Sequence, residues 1–220
     1  MISGIIFDLD GVLLDTEKIY FSCWKQSAKE FGFTMPDEVA LAVRSCCQTY
    51  AEPYLKRTMG ASFDYVTIRN RRRELVSQWI AEHGIQQKPG ILPLLSYCET
   101  HQITPAIATA TSRTLAEERL SIAKLDHVFT HILGGDEVPC GKPAPDIYRI
   151  AAQQLDFPTS QCIAVEDSPN GIVSAFAAGC KVIMVPDLTP PDTAIQPLLL
   201  GVASNLEEII PIIDPLMTKN

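Results

Sequence analysis

The stretch Ile2-Ser3-Gly4-Ile5-Ile6-Phe7-Asp8-Leu9-Asp10-Gly11 decides the fold. Its apolar run, Ile2 to Leu9, closes on two acids and a glycine, with no alternation of polar and apolar residues. That pattern predicts a strand buried on both faces of a sheet. Similar short runs recur at Pro105–Ala108, His131–Leu133, Cys162–Val165 and Lys181–Val185. Between them lie segments with helical spacing: Leu115 to Ala123, Ile147 to Leu155 behind Pro143 and Pro145, and Asn170 to Ala178 ending at Gly179. Alternating strands and helices predict right-handed crossovers and a parallel sheet with helices on both faces, an α/β architecture of the Rossmann-like kind.

Residues 16–87 read differently. Ile19, Tyr20, Cys23, Trp24, Ser27, Ala28 and Phe31 form one amphipathic stripe, Pro36 opens a second helix, and Leu75, Val76, Trp79, Ile80 and His83 form a third stripe ending at Gly84. No strand signal separates them. A helical domain over 16–87 is therefore expected to interrupt an α/β domain made of 1–15 and 88–220, with Lys88-Pro89-Gly90 marking the return.

The chain has 220 residues, 46% of them hydrophobic and 20% charged, which suits an ordinary globular protein. Its 26 acidic and 18 basic residues give a net charge of −8, which argues against a broad nucleic-acid footprint or a polybasic membrane surface. The acidity is uneven. Residues 16–87 hold 10 Lys and Arg against 8 Asp and Glu, so the remainder, with 8 against 18, carries −10. The helical segment is thus the basic part, densest at Arg69, Arg71, Arg72 and Arg73. No apolar run nears the ~20 residues of a membrane span, and no secretion signal opens the chain, so a soluble, cytoplasmic protein is expected, monomeric or weakly dimeric. The 7 cysteines are scattered, without C-x-x-C or a paired histidine spacing, and predict reduced thiols rather than a zinc site.

In an open parallel sheet ligands bind beyond the carboxyl ends of the strands. Those ends carry Asp8 and Asp10, then Thr109 and Thr111, then Glu166 and Asp167, while Gly141-Lys142-Pro143 leads into a helix. Two aspartates two apart on a strand are expected to share a face. Such concentrated negative charge calls for a cation, and an all-oxygen set selects a hard one such as Mg²⁺. One aspartate is then placed to attack phosphorus and the other to move protons, with Lys142 neutralising phosphoryl oxygens and Thr109 donating a hydroxyl.

The segments Asp8-Leu9-Asp10-Gly11-Val12 through Glu17, then Thr109, then Gly141-Lys142-Pro143-Ala144-Pro145-Asp146, then Val165-Glu166-Asp167-Ser168-Pro169-Asn170-Gly171 resemble, in order, the four motifs of the haloacid dehalogenase superfamily. Their wording is similar to its β-phosphoglucomutase-like phosphatase branch, whose mobile cap lies where the helical segment falls here. The resemblance implies Asp8 as nucleophile and Asp10 as general acid and base. It implies Mg²⁺ held by Asp8, the Asp10 main-chain carbonyl and Asp167, with Glu166 beside them or just behind. Thr109, the Ala110 amide and Lys142 would hold the phosphoryl group, and Arg44 and Arg72 in the cap would contact substrate. An acid two residues after the nucleophile argues against dehalogenation. Tyr20 stands where the branch often has histidine, and Arg44-Ser45-Cys46-Cys47 lacks its usual glycine, which favours hydrolysis over a mutase reaction.

Ordinary structural roles compete with some of these. Thr109 or Thr111 would serve as a helix cap, Asp15 as a hinge residue, and Trp24 and Trp79 as core residues. The histidines fit no triad, and nothing in the sequence points to a redox role for Cys46-Cys47. The sequence predicts a Mg²⁺-dependent phosphatase of small phosphorylated metabolites, sugar phosphates foremost, acting through an aspartyl-phosphate. The rivals are a phosphomutase and, more remotely, a non-catalytic receptor domain phosphorylated on aspartate.

Overall fold

The computed structural model describes residues 2–217. Six parallel strands form one sheet in the order β3-β2-β1-β4-β5-β6, with β1 (Gly4–Phe7) central between β2 (Thr104–Thr109) and β4 (Cys162–Glu166). β3 (Ile132–Gly134) lies outside β2, and β5 (Lys181–Met184) and β6 (Gly201–Val202) continue the other wing. The period of two along each strand builds two apolar layers. Ile5 and Phe7 join Ile107, Ile163, Val165 and Ile183 on one face, under α5 (Ile91–Thr100) and α6 (Arg113–Ile122). Ile6 joins Ala106, Ala164, Val182 and Met184 on the other, under α7 (Asp146–Gln154) and α8 (Pro169–Ala178). Burial on both faces is why the strands read as continuous apolar runs.

Residues 16–87 are helical: α1 (Glu17–Glu30), α2 (Asp37–Ala42), α3 (Gln48–Met59) and α4 (Tyr65–His83). They carry apolar clusters of their own, one around Trp24, Ala28, Leu55, Phe63 and Ile68, another around Ile19, Cys23, Val76 and Ile80. The chain enters and leaves this block side by side. Asp15 N donates to Gln86 O at 2.9 Å and Lys88 N to Leu13 O at 2.9 Å, with Lys88 Nζ 3.9 Å from Asp15. A short α9 (Ile210–Ile213), followed by a 3-10 turn over Asp214–Leu216, ends the described chain.

Several expectations change. β1 stops at Phe7, so Asp8 falls one residue past the strand and Asp10 does not share a strand with it but lies in the turn that follows, where Gly11 has φ +90°. Trp79 is exposed and stacks on His83, because it lies off the stripe of Tyr65, Ile68, Leu75, Val76 and Ile80 that α4 buries. The helices α3 and α5 and the two-residue β6 had no counterpart in the sequence reading. The seven cysteines are all free thiols, four of them buried. No helix among the described residues is long and apolar enough to cross a membrane.

Candidate active site

Asp8 follows Ile6 on the α7/α8 face of the sheet, and Glu166 follows Ala164 on the same face one strand away. Both carboxylates meet Lys142, which a cis Lys142–Pro143 bond sets ahead of α7. Its Nζ donates to Asp8 Oδ1 at 2.6 Å, to Glu166 Oε1 at 2.6 Å and to Ala108 O at 3.0 Å. Lys142 has no exposed surface. Burial works against its charge, but the two carboxylates outweigh that and hold its pKa above the ordinary value. Tyr148 Oη donates to Glu166 Oε1 at 2.5 Å and Ser168 Oγ to Glu166 Oε2 at 3.4 Å, so both oxygens of Glu166 are engaged. Gly171 makes room for it: a Cβ there would lie 2.0 Å from the Glu166 carboxyl carbon.

Asp8, Glu166 and Asp167 bring carboxylate oxygens within 4.8 Å of one another, all buried. Asp167 Oδ1 has no hydrogen-bond partner, and no donor among the described residues reaches Asp8 Oδ2. Burial lifts the Asp8 carboxyl to about 7, against the lowering effect of Lys142, and Glu166 adds to the rise. Burial and then Glu17 raise Asp167 well above the usual carboxylate range. A buried acidic set with open oxygens and no nitrogen or sulfur ligand fits a hard divalent cation.

Asp10 is held separately. Thr16 Oγ1 donates to its Oδ1 at 2.6 Å and Thr111 Oγ1 to its Oδ2 at 2.8 Å, while Arg119 Nη1 lies 3.2 Å from each oxygen. Thr109 ends β2, and its hydroxyl accepts from the Thr111 amide at 3.1 Å. Thr109 and Ala110 line the same cleft as Asp8 and Asp10.

The helical block roofs this cleft. Asn170 Nδ2 donates to the main-chain oxygens of Ala42 and Arg44, at 3.0 and 2.9 Å, and Cys47 N donates to Lys142 O at 3.0 Å. The segment pinned in this way drives Arg44 inward, 5% exposed, with Nη1 3.2 Å from Asp167 Oδ2 and Nη2 2.7 Å from Thr189 Oγ1. Glu17 is buried nearby, and burial lifts its carboxyl to about 8 despite Arg44. Arg72 reaches the cleft from α4, its guanidinium 4.4 Å from the Trp24 ring and 5.2 Å from the Tyr20 ring. It makes no ion pair among the described residues, and burial pulls its pKa down to about 10. Arg69 and Arg73 line the cleft too, whereas Arg71 points out and pairs with Glu30 and Glu74. Trp24 is buried as expected but also walls the cleft.

Asp8, Asp10, Thr109, Ala110, Arg44 and Arg72 line one cleft, and the buried Lys142, Glu166 and Asp167 join it through their contacts with Asp8 and Arg44. Arg119, Tyr148, Thr16 and Glu17 were not among the residues singled out as candidates. Only Thr16 and Glu17 had a signal, their closeness to the first motif; Arg119 and Tyr148 lie on ordinary amphipathic helices.

A buried carboxylate opposed by lysine, a second carboxylate held in a hydrogen-bonded clamp, an acidic set suited to a cation and a cationic roof fit a hydrolase of the phosphatase class. A model of the haloacid dehalogenase-like hydrolase family matches residues 5–185, and the chain belongs to that family. It is 35% identical to hexitol phosphatase A of Escherichia coli over 183 residues, covering 83% of this chain and 82% of that one. It is 28% identical to the phosphorylated carbohydrates phosphatase of Thermotoga maritima, covering 82% and 83%. Among solved structures, CbbY of Rhodobacter sphaeroides in complex with phosphate superposes with a TM-score of 0.79 at 26% identity, covering 97% of this chain and all of that one.

Proposed function

We propose that the protein hydrolyses small phosphorylated metabolites, sugar phosphates foremost, with Mg²⁺ and through a phosphoryl group carried on Asp8. The observation that carries this is Asp8 itself: buried, charge-paired on Oδ1 by Lys142, with Oδ2 free and Asp10 in the next turn. The names of the relatives support the substrate class.

Asp8 Oδ2 attacks phosphorus, and the P–O bond to the leaving group breaks with its electron pair on the leaving oxygen. Asp10 gives that oxygen its proton, releasing an alcohol. Asp10, now a carboxylate, takes a proton from water as the water oxygen attacks the aspartyl-phosphate. The P–O bond to Asp8 breaks, returning its carboxylate and releasing phosphate. The Thr109 hydroxyl and the Ala110 amide face the phosphoryl oxygens, where fixed donors need no reorganisation as charge develops, while Lys142, whose three ammonium hydrogens go to Asp8, Glu166 and the Ala108 carbonyl, acts through its positive charge beside Asp8. Asp8, Asp167 and the Asp10 main-chain oxygen would hold Mg²⁺, with Glu166 behind them orienting Lys142. When bound, the cation neutralises this acidic set and the phosphoryl charge. Residues 16–87 act as a cap that closes over the substrate and keeps bulk water out, with Arg44 and Arg72 as its contacts.

The test is phosphate release from a panel of phosphorylated metabolites with Mg²⁺, by wild type and Asp8→Asn. Continuous release by the wild type alone is expected. Release by Asp8→Asn at the wild-type rate overturns the mechanism, and recovery of the phosphoryl group on another position of the sugar overturns hydrolysis in favour of a mutase.

A further inference from the structure

We propose that Arg119 is a positioning residue that fixes Asp10 for its two proton transfers. Asp10 lies beyond the last residue of β1, in a turn opened by Gly11 where its backbone pairing is an isolated bridge to Leu14, and its carboxylate is directed by side chains from elsewhere in the chain. Arg119 comes from the second turn of α6, 109 residues away, and its side chain is 7% exposed. Nη1 bridges both Asp10 oxygens at 3.2 Å and also donates to Thr111 Oγ1 at 3.1 Å, while Thr111 in turn donates to Asp10 Oδ2 at 2.8 Å. Asp10 is the one carboxylate that Arg119 pairs with among the described residues. The guanidinium is itself fixed, 5.1 Å from the ring of Tyr20, and Arg72 lies 5.2 Å from the same ring.

The clamp joins three segments: Thr111 and Arg119 from the α/β domain, and Thr16 and Tyr20 from the entry to the helical block. It removes rotamer freedom from the group that must meet first a leaving oxygen and then a water molecule. Small displacements of such a group are costly, since proton transfer demands hydrogen-bond reach at the moment of reaction.

The proposal rests on Asp10 being the acid and base, and one set of measurements separates the two. Arg119→Met, Arg119→Lys, Asp10→Asn and the double variant Asp10→Asn with Arg119→Met are compared on two substrates. One is an alkyl phosphate, whose alcohol leaves only with a proton, and the other is a nitrophenyl phosphate, whose phenolate leaves without one. kcat/KM reports the step in which the leaving group departs. Arg119→Met is expected to lower kcat/KM for the alkyl ester about ten- to hundredfold and that for the aryl ester less than about threefold. Arg119→Lys should restore part of the loss, and the double variant should be no slower than Asp10→Asn alone. Equal losses on both esters, or a double variant slower than Asp10→Asn by the full Arg119→Met factor, would overturn the positioning role. If Asp10→Asn itself shows no preference for the aryl ester, the acid–base reading fails instead. Should Arg119→Met not fold, Thr111→Val cuts the same clamp without removing a charge and is held to the same comparison.

Discussion

Lys142→Met offers a direct measure of what holds the site together. The ammonium removed has no exposed surface and makes three contacts, at 2.6, 2.6 and 3.0 Å, with Asp8, Glu166 and the Ala108 carbonyl. Methionine matches its volume but leaves two buried carboxylates facing each other. Breaking a buried pair by removing one partner costs about 3–5 kcal/mol, a large part of the about 5–15 kcal/mol that holds a domain folded. With a urea dependence near 2 kcal/mol per molar, the unfolding midpoint at pH 8 should fall by about 2 M. The sign with pH follows from Asp8. Burial already lifts its carboxyl to about 7 with Lys142 beside it. Without the lysine it rises further, so the native state holds its proton more tightly than the unfolded chain. The variant's deficit should be small below about pH 4 and open as pH rises through 7 and beyond. Urea unfolding of both proteins at pH 5 and pH 8, free of divalent ions, decides it. A loss below about 1 kcal/mol at pH 8, or the same loss at both values, would refute the claim that Lys142 is the counter-charge of this site.

Four further outcomes follow from the geometry. Gly171→Ala places a methyl 2.0 Å from the Glu166 carboxyl carbon, so it should destabilise by at least about 1–3 kcal/mol and lower turnover, and a wild-type melting curve would contradict this. Burial holds the Glu17 carboxyl near 8, above its unfolded value, so ionising it costs the folded state; metal-free protein should melt lower as pH rises from about 4.5 to 8, and Glu17→Gln should flatten that slope in scanning calorimetry. Arg72→Ala should raise KM with little change in kcat, whereas Arg71→Ala, whose partners lie outside the cleft, should leave both unchanged in steady-state assays. Mg²⁺ at a hundred times its dissociation constant should stabilise the protein by about 2.7 kcal/mol in thermal melts, and an Asp167→Asn variant should lose that response.

Most of the α/β fold was legible because the inner strands read as short apolar runs, three of which, β1, β2 and β4, lead directly into chemistry-bearing residues. Asp8, Thr109 and the Glu166-Asp167 pair stand at or just past strand ends, and Lys142 leads into α7 through a proline. What was not legible depends on contacts that spacing does not encode. Arg119 pairs with Asp10 across 109 residues and Tyr148 bonds Glu166 across 18, each from a helix whose pattern looks ordinary. Arg71 and Arg72 are adjacent in sequence, yet the turn of α4 sends one to Glu30 and the other to Trp24. Trp79 fitted a buried stripe by period but lies outside, since Leu75, Val76 and Ile80 already fill the contact with α1. The helix α5 carries Pro93, which is tolerated only because it falls in the first turn.

The central claim is that Asp8 carries the phosphoryl group. Mass spectrometry of acid-quenched protein during turnover of a phosphorylated sugar, with Mg²⁺ present, tests it most directly. The account predicts one added phosphoryl group on the peptide containing Asp8, lost in Asp8→Asn together with turnover. Sustained phosphate release with no adduct there, or with the adduct on another residue, would contradict it.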